Sequence, residues 1–232
     1  AQPGQVFDVV ANGFLHRAGI ASVSDSEVAF ILHEELEADT ALPIHLLLAV
    51  FKFDHFEWAI EKATELGVDR LTPILARRTE KHLALAAAKR VERWRRIALE
   101  SAKQSRRTGI PTIADPIPLA PALTILSAPQ PAPRRILLSE TEQSLTLAAA
   151  LTQSTTEMGA PRLDSEMWDR TTTDLALAIG PEGGWAPGEM QLFTQHQWIH
   201  VTLGPRILRA ETAAIAAIAI AAAIQQASHS GS

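Results

Sequence analysis

The amino-acid sequence predicts an α/β protein whose parallel sheet is preceded by a small antiparallel β unit. The apolar run from Ile44 to Phe51 has the composition of a strand that is buried on both faces. It is followed by a helical pattern over residues 54–67 and by a second strand-like run, RLTPIL, from Arg70. Strand, helix and strand in this order form a βαβ unit, which predicts a parallel sheet.

Residues 5–32 differ from the rest of the chain because short strand-like runs alternate with turn residues such as an NG pair. This alternation predicts antiparallel β structure. The acidic segment 33–43, which contains Pro43, is interpreted as a linker. The expected division of the chain is a β domain over residues 1–40, a larger domain over 41–227 and a tail over 228–232.

The helix over residues 54–67 has recognisable ends. Asp54 is the expected N-cap, and Glu57 lies three residues later, as in a capping box. Gly67 stands where helices commonly stop. The apolar face that we expect to pack against the sheet consists of Phe56, Ile60 and Ala63.

The later part of the chain continues the alternation of helices and strands. A long helix over residues 84–105 would bury Val91, Trp94 and Ala98, with much of its basic set on the other side. The polar stretch 152–174 is predicted to be a long loop or insertion, and no pattern indicates its role. The other predicted elements are a short helix with a proline-rich connection (117–133), strands from Arg134, over 175–179 and over 198–204, a helix from Pro187 and an Ala-rich helix from Glu211.

Composition excludes several kinds of site. The 232-residue chain has no cysteine, which removes disulfides, thiolate zinc sites and cysteine nucleophiles, and which fits a reducing compartment such as the cytoplasm. The longest apolar run, residues 213–224, is shorter than the roughly 20 residues that cross a bilayer, so no membrane association is expected. No metal site is predicted, because ligand-like spacing is absent from the histidines at positions 55, 82, 196 and 200.

Positive charge is concentrated in one segment. The formal net charge is -5, yet eleven of the 21 Lys and Arg residues lie between Arg77 and Arg107, against three Glu. Such a segment is either a surface for a polyanion or an ordinary solvated helix face. For Arg90, Arg93 and Arg96 the solvated face is the favoured interpretation.

Two glycine turns stand at the ends of predicted strands. The first, IGPEGGWAPGE, follows strand 175–179, but it lacks the Lys-Ser/Thr pair of a P-loop and the glycine spacing of a dinucleotide-binding loop. By itself it is most simply an ordinary strand-to-helix turn. The second, LGPRILRAETAA over residues 203–214, places Arg206, Arg209 and Glu211 among apolar residues, where they either pair with each other or face a ligand. Two such turns at the carboxyl ends of parallel strands can form one pocket.

Three segments together resemble the ribosomal RNA small subunit methyltransferase E family of the SPOUT superfamily. They are IEKATELGVDRLTPILARRTEK (60–81), WRRIALESAKQSRRTGIP (94–111) and the pair IGPEGG and LGPRILRAETAA (179–184 and 203–214). The chain departs from the family pattern at Phe53, where glycine is usual, at Lys103, where an acidic residue is common, and at Ala210, which replaces a threonine. The change at Ala210 removes a hydroxyl but spares the backbone, so we expect cofactor binding to survive.

The resemblance implies a fold and an activity. The fold would be a SPOUT-type α/β domain with a deep C-terminal trefoil knot, in which residues 203–214 thread through an earlier loop, plus a small PUA-like N-terminal β-barrel that looks incomplete. The activity would be methylation of N3 of a uridine in small-subunit ribosomal RNA by a homodimer that uses S-adenosyl-L-methionine. The alternatives are a SPOUT enzyme that methylates another base or a ribose 2′-hydroxyl, and a non-catalytic RNA-binding module.

The resemblance also implies roles for individual residues. Arg78, Gln104 and Arg107 match polar positions of the family and are expected to face RNA or the target base, and Arg107 is also a catalytic candidate. Arg209 and Glu211 are the other catalytic candidates, with a structural ion pair between them as the alternative. No residue is assigned as the general base. The expected cofactor-binding residues are Ile179, Gly180, Glu182, Gly183, Gly184, Leu203, Gly204, Ile207 and Leu208.

Overall fold

The computed structural model describes residues 1–37, 42–128, 133–152 and 175–229. Over those residues the chain forms ten strands and six helices. The stretch predicted as a polar loop, apart from Thr152, lies outside the described residues, as does most of the proline-rich connection. The strands are β1 (Val6–Ala11), β2 (Phe14–Val23), β3 (Val28–Leu36), β4 (Leu42–Ala49), β5 (Val68–Leu75), β6 (Thr112–Ile113), β7 (Ile117–Pro118), β8 (Arg134–Leu138), β9 (Leu175–Ile179) and β10 (Ile199–Val201). The helices are α1 (Phe53–Glu65), α2 (Lys81–Gln104), α3 (Leu119–Ser127), α4 (Leu147–Thr152), α5 (Pro187–Gln195) and α6 (Ala210–His229).

The first three strands form the predicted antiparallel sheet, in the order β1-β2-β3. Asn12 and Gly13 connect β1 to β2 with φ angles of 54° and 84°. Two-residue hairpin turns whose twist matches that of the strands require two consecutive positive φ values. Asn-Gly is the residue pair best suited to such turns.

Two segments end at other positions than the sequence pattern predicts. The expected linker 33–43 is shorter than predicted, because β3 continues to Leu36 and β4 already begins at Leu42. Glu34 and Glu35 are exposed on β3, an edge strand of its sheet, where charge does not oppose strand pairing. At the other end of the chain, α6 continues to His229, so the predicted start of the tail at residue 228 falls within this helix.

The other seven strands form a parallel sheet in the order β10-β8-β9-β4-β5-β6, with β7 also paired to β5. Strands β4 and β5, joined by α1, are the predicted βαβ unit and lie near the middle of the sheet. Because all these strands run in the same direction, the segments that follow β4, β8, β9 and β10 emerge at one edge of the sheet.

The start of α1 differs from the prediction. Its N-cap is Lys52 rather than Asp54, and no side-chain capping bond forms. An acidic residue inside the first turn also interacts favourably with the helix dipole, so Asp54 favours a helix start at either position. Glu57 does not complete a capping box but accepts two hydrogen bonds from Arg93, each at 2.8 Å. The end is as predicted, because Gly67 follows the helix at φ +96°.

Successive residues of the central strands pack into apolar cores on opposite faces of the sheet. Leu46 and Leu48 of β4 contribute to the core that contains α1, α2, α4 and α6, and Leu47 contributes to the core that contains α3 and α5. In the first core the ring centroids of Phe56 and Trp94 lie 4.7 Å apart, so the predicted apolar faces of α1 and α2 do meet. Helices thus cover both faces and leave the carboxyl edge of the sheet to loops.

Candidate active site

Loops at the carboxyl edge of the parallel sheet surround an open cavity of about 1480 Å³. They follow β4, β8, β9 and β10, and the loop after β5 contributes Arg78. All nine residues predicted to bind a cofactor line this cavity. The two glycine turns, which lie far apart in the sequence, therefore form parts of one wall.

The first glycine turn, residues 180–184, is closed by a hydrogen bond of 2.8 Å from the amide of Gly184 to the carbonyl of Pro181. Gly180 lies against the indole of Trp185, and a Cβ at this glycine would stand only 3.1 Å from the indole Nε1. Trp185 is 8% exposed, and its Nε1 has no hydrogen-bond partner among the described residues. The wall of the cavity therefore contains a buried N–H donor that no acceptor in the described part of the chain satisfies, which is an energetic cost to the fold.

Glu189 fixes the end of this turn. Its carboxylate is buried and accepts a hydrogen bond from the amide of Ala186 and another from the amide of Arg77, each at 2.8 Å. Glu182, the acidic residue that the sequence singled out, is exposed in the turn itself. Sequence reasoning missed Glu189, although a signal was present: it occupies the third position of α5, from which a glutamate often bonds back to the N-cap amide.

The second turn is organised by Thr202 and Gly204. The Thr202 hydroxyl accepts from the Gly204 amide at 3.2 Å and donates to its carbonyl at 3.1 Å. Gly204 has φ +117°, which residues with side chains rarely adopt. Beyond it Ile207 is 82% exposed, and within the described chain the amides of Ile207 and Leu208 donate no backbone hydrogen bond. The turn thus presents unpaired amides and apolar surface at the cavity.

The segment after β8 holds the last strand in place. The amide of Ser139 donates to the carbonyl of Val201 at 3.0 Å. Thr202 bonds to the same segment through both of its main-chain groups. Its amide donates to the carbonyl of Leu145 at 2.9 Å, and its carbonyl accepts from the amide of Leu147 at 3.0 Å. The first residues of this segment also line the cavity, which the sequence did not predict.

Glu142 is an acidic residue of that segment whose bonds are made within its own loop. The hydroxyl of Ser144 donates to its carboxylate at 2.6 Å, and the amides of Ser144 and Leu145 donate at 2.8 and 3.0 Å. These bonds, the hydroxyl first, lower the pKa of Glu142 to about 2. It therefore adds a fixed negative charge to the cavity wall at neutral pH.

Cationic side chains also line the cavity. The predicted RNA-facing residue Arg78 reaches the first turn, where its guanidinium donates to the carbonyl of Gly183. The alternative role predicted for Arg209 and Glu211 is a structural ion pair with each other. Among the residues that the structure describes, they do not form this ion pair. The four cationic residues of the wall are Lys52, Arg78, Arg206 and Arg209.

Glu211 pairs with His55 instead. Its Oε1 lies 2.9 Å from Nδ1 of the imidazole, and Glu211 is only 3% exposed. Glu211 stands in the first turn of α6, where the helix dipole stabilises a carboxylate. His55 lines the cavity. The sequence alone assigns it no role, because its spacing from other histidines is not that of a metal site. The pair joins residues 156 positions apart, so no local pattern could indicate it.

The comparisons with known proteins agree with the architecture. A family of RNA methyltransferase domains matches residues 38–222. Ribosomal RNA small subunit methyltransferase E of Bacillus subtilis is 30% identical over 217 residues, which is 92% of this chain and 79% of that protein. The chain belongs to the ribosomal RNA small subunit methyltransferase E family.

Two other members of this family give the same picture. The one from Synechocystis sp. is 30% identical over 219 residues, or 94% of this chain, and the chain spans 66% of the length of that protein. The crystal structure of the one from Neisseria gonorrhoeae, bound to S-adenosyl methionine, superposes with a TM-score of 0.74 at 26% identity and covers 98% of this chain and 85% of that one. The resemblance found in the sequence is thus confirmed.

Two positions matched to the family lie away from the cavity. The guanidinium of Arg107 donates to the carbonyls of Thr64 at 2.8 Å, Val68 at 3.1 Å and Gly67 at 3.3 Å, at the C-terminal end of α1. Burial, which opposes the positive charge, lowers the pKa of Arg107. Gln104 is exposed at the end of α2. The role of Arg107 toward RNA or in catalysis stays a prediction, and its observed contacts are those of a helix cap.

Part of the positive charge on α2 is neutralised by acidic neighbours. Arg93 and Arg90 contact Glu57 of α1, at 2.8 and 3.4 Å, so these two residues do not simply extend into solvent as expected. The surface is therefore less electropositive than the count of basic residues suggests. The further pairs on this helix are Arg95 with Glu92 and Asp115, and Lys103 with Glu100.

In the described ranges, no three His, Asp or Glu side chains cluster as a metal site would require. None of the helices described is long and apolar enough to cross a bilayer.

Proposed function

We propose that the protein transfers the methyl group of S-adenosyl-L-methionine to N3 of a uridine in small-subunit ribosomal RNA. The main support is that residues 180–184 and 203–208 converge on one cavity in a member of a ribosomal RNA methyltransferase family. The Neisseria gonorrhoeae relative, which covers nearly the whole chain, binds S-adenosyl methionine. The target atom is the more specific part of the proposal and follows from the resemblance of the two turns to the family.

The cavity suits this cofactor in size and chemistry. A volume of about 1480 Å³ is at least as large as the roughly 300–1,000 Å³ of ordinary ligand sites, so a cofactor of this size fits within it. The unpaired amides of Ile207 and Leu208 offer donors, and Leu203 offers apolar surface. When bound, the cofactor supplies a methyl group activated by a positive sulfonium.

Methylation at N3 requires the loss of the N3 proton and stabilisation of the negative charge that then spreads over the uracil carbonyls. The cationic side chains of the wall would supply that stabilisation, and we assign the direct role to Arg209, which stands on the second turn. Because N3 lies on the pairing edge of uracil, the target nucleotide must be unpaired or flipped out of a helix. Arg78 and the exposed Gln104 are assigned to the RNA that flanks it.

The proposal extends to details of fold and assembly. Residues 203–214 would complete a deep trefoil knot, as the resemblance to the family implies. Residues 1–40 would belong to a PUA-like RNA-binding domain. The protein would act as a cytoplasmic homodimer on ribosomal RNA or on the assembling small subunit.

The proposal is tested with the purified full chain. Calorimetry with S-adenosyl-L-methionine measures cofactor binding, and mass mapping of small-subunit ribosomal RNA from a strain that lacks its own enzyme locates any methyl group gained after treatment. We expect binding and one new methyl group at uridine N3. A methyl group on a ribose or on another base would instead make the protein a different RNA methyltransferase, and absence of cofactor binding at millimolar concentration would make it an RNA-binding module.

Variants sharpen this test. Arg209→Ala should lower the transfer rate while cofactor affinity stays within about twofold, because Arg209 is assigned to the uracil anion. Arg96→Ala is the matched control, since Arg96 is exposed on α2 and does not line the cavity. Equal loss of activity in both variants would mean that only general positive charge matters.

A further inference from the structure

A smaller cavity of about 590 Å³ adjoins the first one, between the start of α1 and the start of α6. Two residues, His55 and Arg209, belong to the walls of both cavities. A ligand in the smaller cavity and a cofactor in the larger one would therefore meet at these two side chains. The other residues that line the smaller cavity are Asp54, Trp58, Glu211 and Thr212.

The imidazole of His55 is held in a defined orientation. Its Nδ1 lies 2.9 Å from Oε1 of the buried Glu211, and a carboxylate can only accept there, so Nδ1 carries the proton of the neutral ring. Nε2 then has a free lone pair and can accept a proton. Asp54 Oδ2 stands 3.8 Å from Nε2, so an imidazolium formed at this site would lie between two carboxylates.

The remaining groups of the smaller cavity match the chemistry of uracil. Trp58 is 44% exposed, which leaves its indole accessible as a stacking surface for a planar base. Arg209, which makes no ion pair in the described chain, has the donors that the uracil carbonyls O2 and O4 accept. The free lone pair of His55 can accept from N3–H. One flat face, donors and one acceptor are what a pyrimidine with two carbonyls and one N–H needs.

We propose that the smaller cavity binds the uracil base of the substrate and that His55, oriented by Glu211, is the general base that removes the N3 proton; this rests on the function proposed above. The N3 proton moves to Nε2 of His55, the N3 electron pair forms the new bond to the methyl carbon, and the electron pair of the broken carbon–sulfur bond stays on sulfur. The neutral ring of His55 is restored when Nε2 releases its proton to solvent.

Several charged groups surround His55 and enter any pH dependence. Asp54 stands beside it on α1, Glu211 faces it from α6, and Arg209 faces it from the second turn. Lys52 lies three residues before it and lines the larger cavity. In this arrangement His55 removes the proton directly, whereas Glu211 acts through the imidazole and is a positioning residue.

The pH dependence of methyl transfer tests the role of His55. The wild-type rate should fall as the pH is lowered, because a protonated imidazole cannot accept the N3 proton. His55→Asn should lower the single-turnover rate by about 10²–10⁴-fold and remove that limb, with a rate that rises as hydroxide replaces the base. Glu211→Gln should reduce the rate less and keep a limb. His82→Asn, an exposed histidine outside both cavities, is the control and should match the wild type.

A second measurement does not depend on turnover. The NMR signals of His55, assigned by their loss in His55→Asn, should shift when Glu211 is replaced by Gln, and should shift again when a uridine-containing RNA binds. Cofactor affinity measured by calorimetry should be unchanged in His55→Asn. If the wild type methylates uridine N3 but His55→Asn retains the wild-type pH profile, the inference about His55 is wrong while the proposed function stands. If the wild type methylates no uridine, the proposed function itself has failed.

Trp58 tests the location of the base. Trp58→Ala should weaken RNA binding by about 10-fold in fluorescence anisotropy, because a stacking surface is lost, and should leave cofactor affinity unchanged. Leu85→Ala removes another exposed apolar side chain, on α2, and should change neither. If Trp58→Ala alters the oligomeric state in light scattering with no change in RNA affinity, the indole covers a protein interface and the smaller cavity is not the base site.

Discussion

The carboxylate of Glu189 accepts a hydrogen bond of 2.8 Å from the main-chain amide of Arg77, and so joins the glycine turn after β9 to the loop after β5. Its second oxygen accepts from the amide of Ala186 at the same distance. One buried carboxylate therefore satisfies two amides on two loops of the cavity wall. Neither loop needs a side-chain contact with a ligand to keep its shape.

Replacing Glu189 tests this arrangement. In Glu189→Gln one amide would face the side-chain NH₂ group and lose its acceptor, and a buried unsatisfied donor costs roughly 1–3 kcal/mol. We expect a loss of that size in the free energy of unfolding, measured in urea, together with weaker cofactor binding. The matched variant is Glu182→Gln, on the exposed part of the same turn, which should unfold like the wild type. An equal loss in both variants would show that the turn is not held by Glu189.

Gly180 is expected to tolerate no side chain. A Cβ there would stand 3.1 Å from Nε1 and 3.3 Å from Cδ1 of Trp185, whose ring packs edge-on against Phe193 with centroids 4.9 Å apart. Gly180→Ala should therefore displace the indole and lower the free energy of unfolding by about 1–3 kcal/mol. The near-ultraviolet circular dichroism of tryptophan would report the displacement.

A second replacement isolates the cause. In a Trp185→Phe background the smaller ring leaves room for the methyl group, so Gly180→Ala should cost less there than in the wild type, and the coupling is measured by a double-mutant cycle. Gly109→Ala, at a glycine with open space around the position of a Cβ, controls for glycine replacement in general. Strict additivity of the two changes would contradict the proposed contact.

Arg107 is expected to contribute to stability. Arg107→Ala removes three hydrogen bonds to carbonyl groups at the end of α1, where positive charge also interacts favourably with the helix dipole. We expect a loss of about 1–3 kcal/mol in the free energy of unfolding. The neighbouring exposed Arg106→Ala should lose little. If Arg107→Ala unfolds like the wild type yet transfers no methyl group, the role that the family resemblance implied would be the correct one.

His45 makes stability depend on pH. It is buried on β4, its Nε2 lies 2.8 Å from the Thr72 hydroxyl, and burial, with a smaller effect from Arg70, lowers its pKa from 6.5 to about 4. Between these two values the unfolded chain binds the proton and the folded chain does not. The free energy of unfolding should therefore fall as the pH drops from about 6.5 to 4, by up to roughly 3 kcal/mol from this group.

Urea unfolding of the wild type and His45→Gln at pH 7, 5.5 and 4.5 measures this contribution. Carboxylates also titrate over part of this range, so the informative quantity is the difference between the two proteins at each pH. That difference should be largest at pH 7 and shrink toward pH 4.5. A difference that does not change with pH would rule out the neutral buried imidazole.

Sequence reasoning succeeded where the signal was local and failed where it was not. Periodicity and glycine positions placed α1, β9 and both turns, because a buried strand and a helix end each leave a pattern within about ten residues. The same reasoning assigned Glu57 to a helix cap, whereas its partner is Arg93 on α2. A single sequence does not distinguish a glutamate that completes a capping box from one that bonds to another helix. His55 with Glu211, and Glu189 with Arg77, join distant positions, and only the fold could reveal them.

The bonds between the segment after β8 and Thr202 have a consequence for the order of folding. They link residues 139–147 to Val201 and Thr202, which are distant in the sequence, and non-local contacts of this kind are slow to form because closing the intervening loop costs entropy. A nascent chain that still lacks β10 has no second turn and no completed cavity, whatever the state of its earlier strands. The cavity that would hold the ligands is therefore complete only after β10 has been made and has bonded to the segment after β8, and ligand affinity reports that step.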